Sequence, residues 1–203
     1  MALLDFYEKI FDGVESTDNF KVCLENLAFW ADGRHPHMTW LKLPAMLNDN
    51  ELEEARSWFS KELKELLEAG SISVLYFFLR EFRDSVGREY SDLGVSFYPQ
   101  DSDNWPYTKD CVHSKSDLDS GYLKNLGVVC KGSNKPDFLS SGGYIGFSLA
   151  YASLIAKELC KNEDIIHRSM NKNIRVAVGF TSGDILEIMH ISNGEISFVR
   201  KYA

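Results

Sequence analysis

The chain has 203 residues, 44% of them hydrophobic and 13% aromatic, and a formal net charge of −8. That length buries a real core without help from disulfides or metal, and the acidic balance argues against general nucleic-acid binding, which needs a positive footprint for phosphates. The charge is uneven, with 23 acids and 12 bases in residues 1–119 against 7 and 10 in residues 120–203, so the acidic surface belongs to the first part and suits a basic partner.

The opening MALLDFYEKIFDG carries acids in its first turns and lacks a basic n-region and a small-residue cleavage site. It reads as an amphipathic helix over residues 2–12 rather than a signal peptide, and a cytoplasmic location is expected. Residues 18–31 form a second helix, with Asp18 at its N-cap, Gly33 as its stop, and Phe20, Leu24, Leu27 and Ala28 on one stripe. The proline-punctuated stretch 33–47 is a connection anchored by Trp40, Leu41 and Leu43. NDNELEEARSWFSKELKELLEAG reads as a third helix, capped by Asn/Asp, acidic in its first turn and stopped at Gly70.

Residues 71–87 admit two readings. Their β-branched and aromatic content suits a strand, but Leu75, Phe78, Leu79, Phe82 and Val86 fall at helical spacing, and a helix is the expectation. A short strand follows at 94–98, then a polar, proline-punctuated stretch at 100–117. A short helix is expected at 117–126, capped by Ser116 and ended by Gly127, with GVVCKG after it as a small strand.

Residues 138–156 contain no charge over nineteen positions, nearly a membrane-span length, diluted by four serines, three glycines and two tyrosines. The glycines match neither the dinucleotide nor the P-loop spacing. Gly142, Gly146 and Ala150 recur every four residues, which suits close packing of a central buried helix at 141–160 capped by Ser140 or Ser141. The last third alternates cleanly in three runs, 174–181, 184–191 and 195–201, joined by Ser-Gly and Asn-Gly turns, and predicts an antiparallel meander. Ile174, Val176, Val178 and Phe180 share its buried face. The expected fold is a single α+β domain over 1–203. Its helical part covers about 1–92, and the N-terminal and central helices pack on one face of a C-terminal antiparallel sheet of three or slightly more strands.

Candidate chemistry is sparse. The four cysteines, Cys23, Cys111, Cys130 and Cys160, show no C-x-x-C spacing and read as free thiols, mostly buried. His35, His37, Cys111 and His113 would suit a zinc ion only if their loops met. Cys111 and His113 share a face of an extended segment, about 7 Å apart along it, beyond direct hydrogen-bond reach unless the loop is kinked. DSDNWP resembles a calcium loop only in its first positions, and a glycosidase carboxylate pair is a matter of spatial geometry that sequence spacing does not show. No cofactor and no metal are expected.

The residues singled out for partner binding are Asp101, Asp103, Trp105, Tyr107, Asp110, Asp117 and Asp119, acids interleaved with aromatic anchors. In composition the chain resembles the bacterial immunity and antitoxin proteins that neutralise basic toxin domains. The expectation is a non-catalytic inhibitor or adaptor that captures a basic protein, with no nucleic-acid or membrane partner. The alternative is a small hydrolase or transferase with a site between the 99–119 loop and the N-terminus of the central helix.

Overall fold

The computed structural model describes residues 3–68, 70–100, 111–131 and 138–202. Helix α1 spans Leu3–Ser16 and buries Phe6, Tyr7, Ile10, Phe11 and Val14 along one stripe. Helix α2 spans Phe20–Arg34. Its N-cap is Asn19, whose side chain accepts from the Val22 amide at 3.1 Å, while Asp18 pairs with Lys157 instead at 2.8 Å. Two 3₁₀ turns, Trp40–Lys42 and Pro44–Met46, bury Trp40 and leave Leu41 exposed; helix α3 follows at Glu51–Glu68.

Residues 71–87 are not a helix. They carry strand β1, Val74–Arg83, which turns back into strand β2, Glu89–Tyr98. The physical reason lies in the run itself: Val74 to Leu79 are six consecutive buried residues, as in a strand covered on both faces. A helical spacing can be selected from any unbroken apolar run, so periodicity could not arbitrate there. The reversal uses Asp84, whose Oδ1 accepts from the Val86 and Arg88 amides, with Gly87 at φ +83°. The helical part therefore ends well before residue 92.

After the two-residue strand β3, Val112–His113, helix α4 runs from Gly121 to Cys130, later than expected and through the stretch read as a small strand. Its cap is Ser120, accepting from the Leu123 amide at 3.1 Å. Ser116 instead donates its hydroxyl to Glu62 of α3. Gly127 lets α4 lie directly on the β2 backbone, because a Cβ there would come 2.0 Å from the Glu89 carbonyl oxygen.

A π-helical turn, Phe138–Gly143, leads into helix α5, Tyr144–Leu159, and Gly143 occupies the N-cap position without any side-chain cap. The stretch Phe138–Leu159 is long and apolar enough to cross a membrane by length and composition, but 76% of its most apolar window is buried inside the protein. Such burial marks the core helix of a compact protein. Helix α6, Glu163–Arg168, precedes strands β4 (Asn173–Phe180), β5 (Ile185–Ser192) and β6 (Glu195–Tyr202).

The meander is present, but the sheet is larger than expected and mixed. Among the described residues six strands align in the order β3-β2-β1-β4-β5-β6, with β1 parallel to β4 and the other pairs antiparallel. The parallel pair forms because β1, unforeseen from sequence, docks on the free edge of β4. One strand parity, including Leu75, Phe77, Ile174, Val176 and Val178, packs with helical residues in a cluster that runs from Phe6 to Ile191. The other parity forms a second cluster of Val74, Tyr76, Phe78, Tyr98, Ala177 and Ile185, with Cys111 against it and no helical residue among its members.

Candidate functional site

The second cluster floors a cleft of about 270 Å³. Cross-strand partners in a sheet share a face, and the register puts Tyr76 beside Ser96, Phe78 beside Gly94 and Arg80 beside Asp92. Tyr76, Phe78, Tyr98 and Ile185 wall the cleft, Arg80, Ser96 and His113 add polar groups, and Thr181–Gly183 form its lip. Gly94 is required where it stands: a Cβ would meet the Phe78 ring at 2.2 Å and the Asp117 carboxylate at 2.7 Å. The Phe78 ring thus lies across β2, with the Arg80 guanidinium 5.1 Å from its centroid.

At one end of the cleft, the start of β3 brings together two residues that a straight extended segment would keep apart. Cys111 Sγ lies 3.3 Å from His113 Nε2, and His113 Nδ1 lies 2.6 Å from Ser96 Oγ. The expected separation of about 7 Å holds for side chains standing perpendicular to an extended strand. Here Cys111 precedes the strand, and the imidazole is held by the buried Ser96 hydroxyl of the neighbouring strand. Burial, and then the adjacent Cys111 sulfur, push the Tyr98 hydroxyl well above its ordinary range.

Beside Arg80, outside the cleft's own lining, stand three carboxylates among the described residues, Asp92, Asp117 and Asp119. Asp117 and Asp119 flank Leu118, whose backbone pairs with Leu93 of β2. Glu62 accepts from the Lys115 amide and Trp58 donates to the Ser116 carbonyl, which fixes this segment over the edge strand. Arg80 binds Asp117 at 2.9 Å and Lys124 binds Asp119. Among the described residues no cation pairs directly with Asp92, and its buried Oδ1 has no hydrogen-bond partner. Burial first, and then the charge of Asp119, raise its carboxyl to about 6, with Asp117 adding to the shift and Lys124 and Arg80 opposing it. Asp117 is also raised, because burial outweighs its pairing with Arg80.

Beyond the cleft, β4, β5 and β6 carry a closed ion network. The buried Glu187 accepts from Arg175 at 2.5 Å and from His190 at 2.6 Å, and these bonds overcome burial to hold its carboxyl below the usual range.

Of the residues singled out for partner binding, Asp117 binds the cleft residue Arg80, and Asp119, largely exposed, binds Lys124. Asp101, Asp103, Trp105, Tyr107 and Asp110 lie outside the described residues. His35 and His37 are engaged elsewhere than with Cys111 and His113: His35 stacks on Phe138 at 4.8 Å, and His37 Nδ1 accepts from the Thr39 amide. No group of three or more His, Cys, Asp or Glu side chains suited to a metal occurs among the described residues. The N-terminal turn of α5 packs on Phe6 and Trp40, on the helix-lined side of the sheet rather than in the cleft.

Sequence reasoning missed Tyr76, Phe78, Arg80, Asp92 and Ser96. The run at 76–80 carries no alternation to mark its cleft face, and the alternation at 92–98 becomes legible only once both runs are known to be strands. No family model, curated protein or solved structure matches this chain.

Proposed function

We propose that the chain is a non-catalytic, acidic protein-binding module, an immunity- or antitoxin-type inhibitor or adaptor of the cytoplasm, and that it takes a basic partner at the cleft face. The observation that carries this reading is Asp92, the cross-strand neighbour of the cleft residue Arg80, whose buried Oδ1 has no hydrogen-bond partner among the described residues. A buried acceptor without a donor is costly, and an incoming arginine or lysine would supply the missing donor. The flat walls of Tyr76, Phe78 and Tyr98 would stack on that cation's stem or guanidinium. Asp119, largely exposed, would steer the approach.

The test uses a short arginine-rich peptide as probe, followed by amide and side-chain NMR shifts. Shifts clustering on Arg80, Asp92, Tyr98 and Asp119, with affinity that falls steeply as salt rises, support the reading. Shifts elsewhere, or binding that Asp92→Asn and Asp119→Asn together leave unchanged, refute it. The second reading, a small hydrolase or transferase, draws on the hydrogen-bonded Cys111, His113 and Ser96. Turnover of an ester substrate that Cys111→Ser abolishes would put it first.

A further inference from the structure

We infer that Cys111 is a nucleophilic thiol, served by His113 as base and Ser96 as positioning residue, that exchanges with small disulfides at the mouth of the cleft. The inference does not depend on the partner proposed above.

The four cysteines differ in their surroundings. Cys23, Cys130 and Cys160 are buried, and burial pushes the Cys23 thiol up to about 11 and the Cys160 thiol higher still. Such thiols are inert, because the thiolate is the nucleophile. Cys111 alone is partly exposed and alone has an imidazole nitrogen within reach of its sulfur, at 3.3 Å. The other ring nitrogen is fixed at 2.6 Å by Ser96, whose side chain is fully buried and cannot drift. With Nδ1–H donating to the serine oxygen, Nε2 presents its lone pair to the thiol. Phe78 meets the imidazole edge to face at 6.0 Å and limits its rotation. This is a nucleophile, a base and an orienting group in one hydrogen-bonded line, with His113 and Ser96 lining the cleft and Cys111 packed against the aromatic cluster that floors it.

The exchange balances without any further oxidant. The Cys111 proton passes to His113 Nε2 as the sulfur forms a bond to one sulfur of the incoming disulfide. The original S–S bond breaks, and the departing thiolate takes the proton from Nε2. One disulfide and one thiol become one mixed disulfide and one thiol, so the incoming disulfide supplies the oxidation.

Oxidised glutathione is the probe, with intact-mass detection and peptide mapping. The expected result is a single glutathionyl adduct on Cys111, reversed by dithiothreitol. His113→Ala should slow its formation by about tenfold or more, and free imidazole in solution should restore part of that rate. Ser96→Ala should slow it less, and Ser96→Thr, which keeps the hydroxyl, should return it toward the parent rate. A structural role alone would show neither rescue. Adducts spread over Cys23, Cys130 and Cys160 would report unfolding of a variant, so the comparison is made on Cys111 in variants with the parent's circular dichroism. No adduct on the parent chain, or a rate that both His113→Ala and Ser96→Ala leave unchanged, overturns the inference.

Discussion

Gly146 stands so close to the ring of Phe6 that a Cβ on it would lie 2.4 Å from the ring's Cδ1. The ring cannot yield, being fully buried with Trp30 at 5.1 Å, Trp40 at 6.2 Å and Phe147 at 6.4 Å between centroids. Close packing is thus the use of the glycine-rich start of the central helix. Gly146→Leu should lower stability by about 1 to 3 kcal/mol through overpacking, although leucine is the better helix former by roughly 0.8 kcal/mol. Gly33 serves as the control: a Cβ there meets nothing within 4 Å, so Gly33→Ala should raise stability slightly, by about 0.4 to 1 kcal/mol. A Gly146→Leu chain that melts above the parent would contradict the packing.

A single carboxylate serves two helix starts. Glu51 is the first residue of α3, almost fully buried, and its oxygens accept from the Tyr122 amide in the first turn of α4 at 2.8 Å, from Ser120 Oγ at 3.0 Å and from the Tyr151 hydroxyl of α5 at 2.7 Å. An anion at two helix N-termini is favoured by both dipoles. Burial, with Glu51 adding to it, holds the Tyr122 and Tyr151 hydroxyls far above their ordinary range. Glu51→Ala strands those donors and should cost about 3 kcal/mol, read as a lower denaturant midpoint. Glu51→Gln keeps one acceptor and should cost less. Equal midpoints for the two variants would mean that the charge, and not the acceptor, is what matters.

The meander was legible because its residues alternate and its turns are local. Asn193 and Gly194 take φ values of +51° and +83°, the conformation an Asn-Gly hairpin turn requires, so residues 184–201 carry their own pairing instructions. β1 has no such instructions. Its pairing with β4 joins Phe77 to Val178, about a hundred positions on, and its unbroken apolar run fits a helix stripe as well as a strand. The cleft inherits that difficulty, since Tyr76, Ser96, His113 and Ile185 come from four strands and meet only through register. Asp117 and Asp119 were visible as acids, but Asp92, whose neighbours make it unusual, looked like any strand-edge polar residue.

Val178 tests the sheet itself. It is fully buried between Phe77 of β1 and Leu186 of β5, on the side that packs with the helices. Val178→Asp places a carboxylate there without a partner and should cost on the order of 3 kcal/mol or more. Thermal denaturation followed by circular dichroism measures it, and an unchanged transition would mean that the residue faces water.

Asp92 links the fold to the proposed partner through pH. Burial, and then the charge of Asp119, push the Asp92 carboxyl up to about 6 in the folded chain, against roughly 3.9 in an unfolded one. Between those values the folded chain binds more protons, so Asp92 makes stability fall as pH rises through that window. Above it the full penalty of an unpaired charge remains; below it there is none. Asp92→Asn should therefore raise the melting temperature at pH 7 and leave it unchanged near pH 4. A basic side chain docking on Asp92 favours the ionised form and must displace the proton where one is bound. Affinity for the arginine-rich peptide should then rise with pH through about 6, with proton release on binding below pH 7. Calorimetry in two buffers of different ionisation enthalpy measures that release, and Asp92→Asn should abolish it. If the substituted chain releases as many protons as the parent, Asp92 does not receive the cation, and the exposed acid Asp119 would have to carry the contact alone.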